Sequence, residues 1–331
     1  MTRNKVRDLL RAAADPSFKE FNDKIVNCDA APSLGIRVPK LREIAAKVVK
    51  SGWQEYVREM EQGQSGGSNG MDQEVELAEA VSGKEACGDS EEMDQEVELA
   101  EAVSGKELCD DSDVMYQEEH MLWGMILGKA KMTLEERTVH LNLWVPGILS
   151  WADCDTCVSA FKFMKKDQEF WYAYCVRWLD GGREFEVRFA LVALMQYFVN
   201  DEYIARVLLI FAGRQATFSA DTEHASHVTP ESKDSVVGAS GKKLSASPVT
   251  DSGQRHTSHI APEWNESTPY YIKMAAAWAL SVCFVKYRDL TWEAFASKTM
   301  NPWVQNKAIQ KCRESYRVSA EDKELLKSLK R

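Results

Sequence analysis

Hydrophobic and polar positions along most of the chain follow the 3.6-residue rhythm of an amphipathic helix. They almost nowhere follow the two-residue rhythm of a half-buried strand. Apolar residues recurring at steps of three and four predict helices over Lys40–Lys50, Glu118–Ala130, Leu134–Trp144, Trp151–Met164, Gln168–Leu179, Glu184–Phe198, Glu202–Ala212, Tyr270–Tyr287, Trp292–Lys298 and Pro302–Glu314. Short turns join them, and Leu179-Asp-Gly-Gly-Arg-Glu184 places a glycine pair where one helix ends and the next begins. Successive helices on short connections form antiparallel pairs, and a run of such pairs stacks into an α-α superhelix. The expected fold is therefore all-α: one domain over residues 1–331, a solenoid of helix pairs interrupted by two low-complexity insertions.

The rhythm fails in those two segments. Met71–Glu92 is followed at once by a near-copy, Met93–Val114, differing at four positions, and Met115-Tyr-Gln-Glu-Glu-His-Met-Leu122 begins the same way. The duplicated stretch is very acidic and has too few large apolar residues to stack as a solenoid repeat. With its Gly/Ser-rich leader it reads as a flexible acidic insertion over residues 63–114. The second segment, 215–267, is rich in Ser, Thr and Gly and poor in large aliphatics, so disorder is expected there. It holds His224, His227, His256 and His259, but nothing rigid nearby would converge them on a metal ion.

Charge changes the picture once the chain is divided. The formal net charge of −10 conceals −14 on residues 63–114 and −3 on 215–267, which leaves +7 on the other 226 residues. A basic helical scaffold points to a phosphate-bearing partner. No run of eighteen apolar residues exists, so no membrane span is expected. The N-terminal stretch is polar and periodic, without the apolar centre of a signal peptide. Most of the eight cysteines sit inside helical patterns, which argues against a disulfide framework and for a reducing, cytoplasmic setting.

Motifs exclude several chemistries. No Gly-x-Gly-x-x-Gly follows a strand and no phosphate-binding Walker sequence occurs. Cys154-Asp-Thr-Cys157 lacks the second pair that a zinc site needs and the βαβ context of a redox site, so it reads as helix packing. Trp151-Ala-Asp-Cys-Asp155 is more informative, because a spacing of four puts Trp151 and Asp155 on one helix face. An aromatic plate beside a carboxylate suits a planar cation. A structural tryptophan and a capping or salt-bridged aspartate fit the same pattern, and Asp153 can serve the first turn electrostatically. Arg188 stands inside an apolar run, Trp278 follows three alanines, and Lys307, Lys311 and Arg313 place cations on adjoining faces of the last predicted helix.

Taken together and in this order, several segments resemble the AlkD-like DNA alkylation repair family, glycosylases built of HEAT-like repeats. They are Leu34-Gly-Ile-Arg-Val-Pro-Lys-Leu-Arg42, Met121–Gly128, Trp151–Asp155, Arg183–Arg188, Tyr271–Ser281 and Asn306–Tyr316. The resemblance covers nearly all of the chain outside the two insertions. It implies a lesion-facing cleft formed by Trp151, Trp278 and Arg188, with Asp155 catalytic and Arg188 holding a phosphate. It further implies a monomer that cleaves the N-glycosidic bond of cationic alkylated purines, 7-methylguanine and 3-methyladenine, in double-stranded DNA, without metal or organic cofactor. Lys307, Lys311 and Arg313 are the expected DNA-phosphate contacts. Residues between Trp151 and Asp155 depart from the family's usual pattern, which leaves substrate preference open. The competing expectation is a HEAT-like scaffold that binds DNA or protein and removes no base.

Overall fold

The computed structural model describes residues 1–26, 31–65, 114–213 and 263–331. The duplicated repeat and the four histidines of the second insertion lie outside them. Fourteen α-helices, and no strand, occur among the described residues. They are α1 (Arg3–Arg11), α2 (Pro16–Val26), α3 (Val38–Lys50), α4 (Gln54–Ser65), α5 (Gln117–Lys129), α6 (Leu134–Trp144), α7 (Trp151–Val158), α8 (Gln168–Arg177), α9 (Glu184–Tyr197), α10 (Ile204–Ala212), α11 (Tyr270–Lys286), α12 (Arg288–Ala296), α13 (Pro302–Glu314) and α14 (Ala320–Leu325). The protein is all-α.

Helix boundaries follow local chemistry. The Thr133 hydroxyl accepts from Glu136 N–H while the Glu136 carboxylate accepts from Thr133 N–H, a reciprocal cap that starts α6. Ser150 caps α7 and Asn301 caps α13 in the same way on one side. Gly213 closes α10 in the left-handed conformation that favours glycine. Gly181, in contrast, is extended, and its missing side chain leaves room for Glu186 instead. The helix expected to run to Met164 stops at Val158, because Phe161 turns inward, fully buried, to meet the Trp144 ring edge-on at 5.5 Å. The second insertion also ends earlier than expected. Trp264 is buried and donates Nε1–H to the Phe211 carbonyl at 3.0 Å, so residues 263–267 belong to the fold.

Six helices form the backbone of the packing: α3 lies on α5, α5 on α7, α7 on α9, α9 on α11 and α11 on α13. The remaining helices flank them, with α6 on α5, α8 on α9, and α10 and α12 on α11. Contacts near the ends show that the helices of this row run parallel. Glu118 at the start of α5 binds the chain entering α3, and Arg188 in α9 reaches both Asp155 in α7 and Tyr271 at the start of α11. Helices sandwiched in the row have no polar stripe to spare, and α9 is buried continuously from Glu186 to Met195. Gly124 and Gly128 let α5 approach closely. A Cβ at Gly124 would lie 2.7 Å from Cys157 Sγ and the Trp144 ring, and one at Gly128 would lie 2.9 Å from Ala160.

Two adjacent carboxylates anchor the N-terminal helices. The buried Glu118 accepts N–H bonds from Leu34, Gly35 and Ile36 at 2.8–3.1 Å, so three otherwise orphaned donors converge on one acid. The fully buried Glu119 accepts from Arg3 Nε and Arg7 Nε, each at 2.8 Å. Burial pushes its carboxyl up, but these bonds together hold it below the ordinary value. Gly35 has φ +74°, and a Cβ there would lie 2.5 Å from Lys19 Cβ and 2.6 Å from the Asp15 carbonyl oxygen. Gly35→Ala is therefore expected to cost about 2 kcal/mol or more, read as a lower midpoint in denaturant unfolding; an unchanged midpoint would show that the α2–α3 approach is not tight.

Candidate active site

The Ser150 hydroxyl accepts from Asp153 N–H and starts α7, which fixes the direction of the first two turns. Trp151 occupies the first helical position and is half-buried, with no place among the aromatics packed on the core. One turn on, Asp155 faces α9. Arg188 meets it with a two-pronged ion pair: Nε donates to Oδ1 at 3.0 Å and Nη2 to Oδ2 at 2.8 Å. Such paired bonds fix the plane of the carboxylate as well as its position. Arg188 Nη1 donates to the Tyr271 carbonyl at 2.8 Å, tying α7, α9 and α11 together.

Exposure is divided unevenly across this pair: the Arg188 side chain is 6% exposed and that of Asp155 18%. The carboxylate thus keeps an open edge while the guanidinium is enclosed. Burial pushes the Asp155 carboxyl above the ordinary aspartate value, against the pull of Arg188. Arg188, expected to hold a DNA phosphate, is bound within the protein to Asp155 and Tyr271. Three of its five N–H donors are engaged inside the protein, by Asp155 and by the Tyr271 carbonyl. Arg188 holds the Asp155 carboxylate in one plane.

Trp278 lies seven residues after Tyr271 and so shares its face of α11. It is half-buried and lines an open cavity together with Lys311. Burial lowers the Lys311 ammonium pKa, Lys307 and Arg188 push the same way, and Glu314 opposes them. Lys307 donates to Gln310 at 3.2 Å on its own helix. Arg313 departs from the expected phosphate row. It lies two residues from Lys311, its Nε is buried without a partner, and its charge acts on Glu324 in α14. The structure brings Asp155 and Arg188 together, sets Lys311 beside Trp278 at a cavity, and leaves Trp151 and Trp278 half-buried.

Asp153 stands in the first turn of α7, as expected, but is 1% exposed and accepts from Leu149 N–H just ahead of the helix. His120 Nδ1 stands 2.6 Å from its Oδ2, and His120 Nε2 lies 3.2 Å from the Trp144 carbonyl. The imidazole stacks on Trp144 with centroids 5.2 Å apart. This buried couple braces α7 from behind, and no spacing in the sequence pairs residues thirty-three positions apart. Tyr271 also escaped sequence reading, because it contributes a backbone carbonyl and any residue can supply one. Cys154 and Cys157 are unpaired and fully buried, and burial pushes both thiols well up, so they are packing groups. No cluster of three or more metal-ligating side chains occurs among the described residues, and none of their helices is long and apolar enough to cross a membrane.

Comparisons with protein-family models, with curated proteins and with solved structures found no match for the chain.

Proposed function

We propose that the protein is a DNA glycosylase that releases cationic alkylated purines, such as 7-methylguanine and 3-methyladenine, from double-stranded DNA. The observation that carries this reading is the half-open carboxylate of Asp155, clamped in one plane by an enclosed arginine beside the half-open Trp151. Alkylation makes the base a good leaving group, so the site needs little acid catalysis. As the glycosidic bond breaks, positive charge develops on the sugar, and a fixed carboxylate stabilises it. At ~4 Å and an effective dielectric of ~20 that attraction is ~4 kcal/mol. Arg188, bonded to the same carboxylate, cancels part of this field but keeps the group ionised and oriented despite its burial.

The parallel row of helices fits one half of a solenoid whose basic face follows the duplex backbone, in keeping with HEAT-like repeats. Trp151 and Trp278 supply aromatic surface for the cationic base, and Lys311 and Lys307 supply phosphate contacts. On this reading a single copy works in the cytoplasm on DNA, with no cofactor in the chemistry. Incubating the purified protein with a duplex containing 7-methylguanine tests it directly: free base must appear at a rate above the spontaneous one. A protein that binds the duplex but releases no base is the scaffold alternative.

The raised Asp155 carboxyl gives this reading a pH signature. Only the ionised form stabilises the sugar cation, so base release must fall as pH drops through a value above the ordinary aspartate range. A rate profile whose acid limb lies at or below the ordinary aspartate value would remove Asp155 from the rate-limiting step.

A further inference from the structure

Helix α11 has no cap of its own. Its N-cap residue is Pro269, which offers no side-chain acceptor, and the first N–H groups of a helix have no partner inside it. One of them is satisfied across the interface with α9. The Glu184 carboxylate, at the first position of α9, accepts from Tyr271 N–H at 2.6 Å, eighty-seven positions away in the chain. One turn further along α9, Arg188 donates Nη1–H to the carbonyl of the same Tyr271 at 2.8 Å. Side chains four apart share a helix face, so α9 grips a single residue of α11 by both of its backbone groups.

That grip bears on Asp155. The guanidinium that reaches Tyr271 through Nη1 holds the Asp155 carboxylate through Nε and Nη2. A rigid planar fork cannot move one prong without turning the others, so the place of the Tyr271 carbonyl helps to set the plane in which Asp155 is held. Tyr271 in turn is fixed by Glu184 at its N–H and by the Phe185 ring, whose centroid lies 5.6 Å from its own. Helix α11 also carries Trp278, two turns on along the face of Tyr271. A single bond from Glu184 therefore ties the helix that bears Trp278 to the helix that clamps Asp155.

We propose that Glu184 is a positioning residue for Asp155, acting through the Tyr271 backbone and the Arg188 guanidinium. Its contribution is geometric. Without its acceptor the first turn of α11 loosens, the Tyr271 carbonyl leaves Arg188, and the guanidinium turns out of the plane of the Asp155 carboxylate. Two conservative variants separate place from charge. Glu184→Gln keeps an oxygen where Oε1 stands and loses the charge; Glu184→Asp keeps the charge and falls one methylene short of Tyr271 N–H. The effect on base release rests on the glycosylase reading, whereas the chain of bonds from Glu184 to Asp155 does not.

Both variants of the full chain are compared with the wild type on protein shown to be folded by its unfolding midpoint. With a duplex containing 7-methylguanine, Glu184→Asp should lower kcat about tenfold or more while KM and duplex affinity stay near the wild type, and Glu184→Gln should retain most of the activity. Titration of Asp155 reads the same relay without any reaction. The chain carrying carbon-13 in its aspartate carboxyls is followed by NMR, with the Asp155 signal assigned by its loss in Asp155→Asn. In the wild type, Arg188 and the Cys154 thiol pull this carboxyl down against its burial. A loosened guanidinium pulls less, so Glu184→Asp should raise the Asp155 pKa and Glu184→Gln should leave it near the wild-type value. A role by charge alone predicts the reverse: no change in Glu184→Asp and a lowered pKa in Glu184→Gln. That reverse pattern, or a Glu184→Asp variant with wild-type kcat, would overturn the proposal. If the wild-type chain releases no base, the glycosylase reading falls and the titration alone decides the positioning role.

Discussion

Asp155→Asn is expected to slow release of 7-methylguanine from a duplex about a hundred- to a thousandfold while duplex affinity stays near that of the wild type. The amide keeps an oxygen that can accept from one prong of Arg188, so the helix row remains assembled. What disappears is the negative charge that faces the developing sugar cation. The enclosed guanidinium loses its full partner, so a stability loss of about 1–3 kcal/mol should accompany the substitution. Rates must therefore be compared on protein shown to be folded by its circular dichroism and unfolding midpoint. A folded variant that releases base as fast as the wild type would take the carboxylate out of the mechanism.

Arg188→Ala should be the most damaging single change for the fold of this region. It leaves the Asp155 carboxylate buried without its ion pair, strips the Tyr271 carbonyl of its donor and opens a void between α7, α9 and α11. Breaking an enclosed pair in this way costs about 3–5 kcal/mol, to be read from chemical unfolding. The dependence of duplex affinity on salt should stay unchanged, because the side chain is enclosed and bound to Asp155 and Tyr271. A salt slope reduced by about one unit with stability intact would restore Arg188 as a phosphate contact and refute the positioning role. Arg188→Lys keeps the charge but cannot make two parallel bonds, so it should recover only part of the lost stability.

Helix content was legible because periodicity is a local property, repeated many times along α5, α7, α9, α11 and α13. Four helices, α1, α2, α4 and α14, were not among those assigned from the sequence. In α1, Val6 and Leu10 are held down partly through Arg3 and Arg7 bound to Glu119, more than a hundred positions away. The spacing of Trp151 and Asp155 was likewise readable, since four residues in a helix fix a common face. Their environment was not. Whether a carboxylate on that face caps its own helix or pairs across to another depends on what α9 brings opposite it.

By itself, then, the sequence determined an all-α chain, a basic scaffold separated from two compositionally distinct segments, and a set of side chains worth testing. All of these follow from composition and from spacings of a few residues. Tertiary structure alone decided which cations are spent and which are free. Arg188 and Lys311 look alike as charges on helical faces, yet one is locked to Asp155 and Tyr271 while the other lines a cavity with no hydrogen bond among the described residues. It also sent Asp153 inward to His120 and Arg313 away from the group. The physical reason is common to all four: the role of a charge is set by desolvation and by the partner within about 3 Å, and here those partners come from helices far apart in the chain.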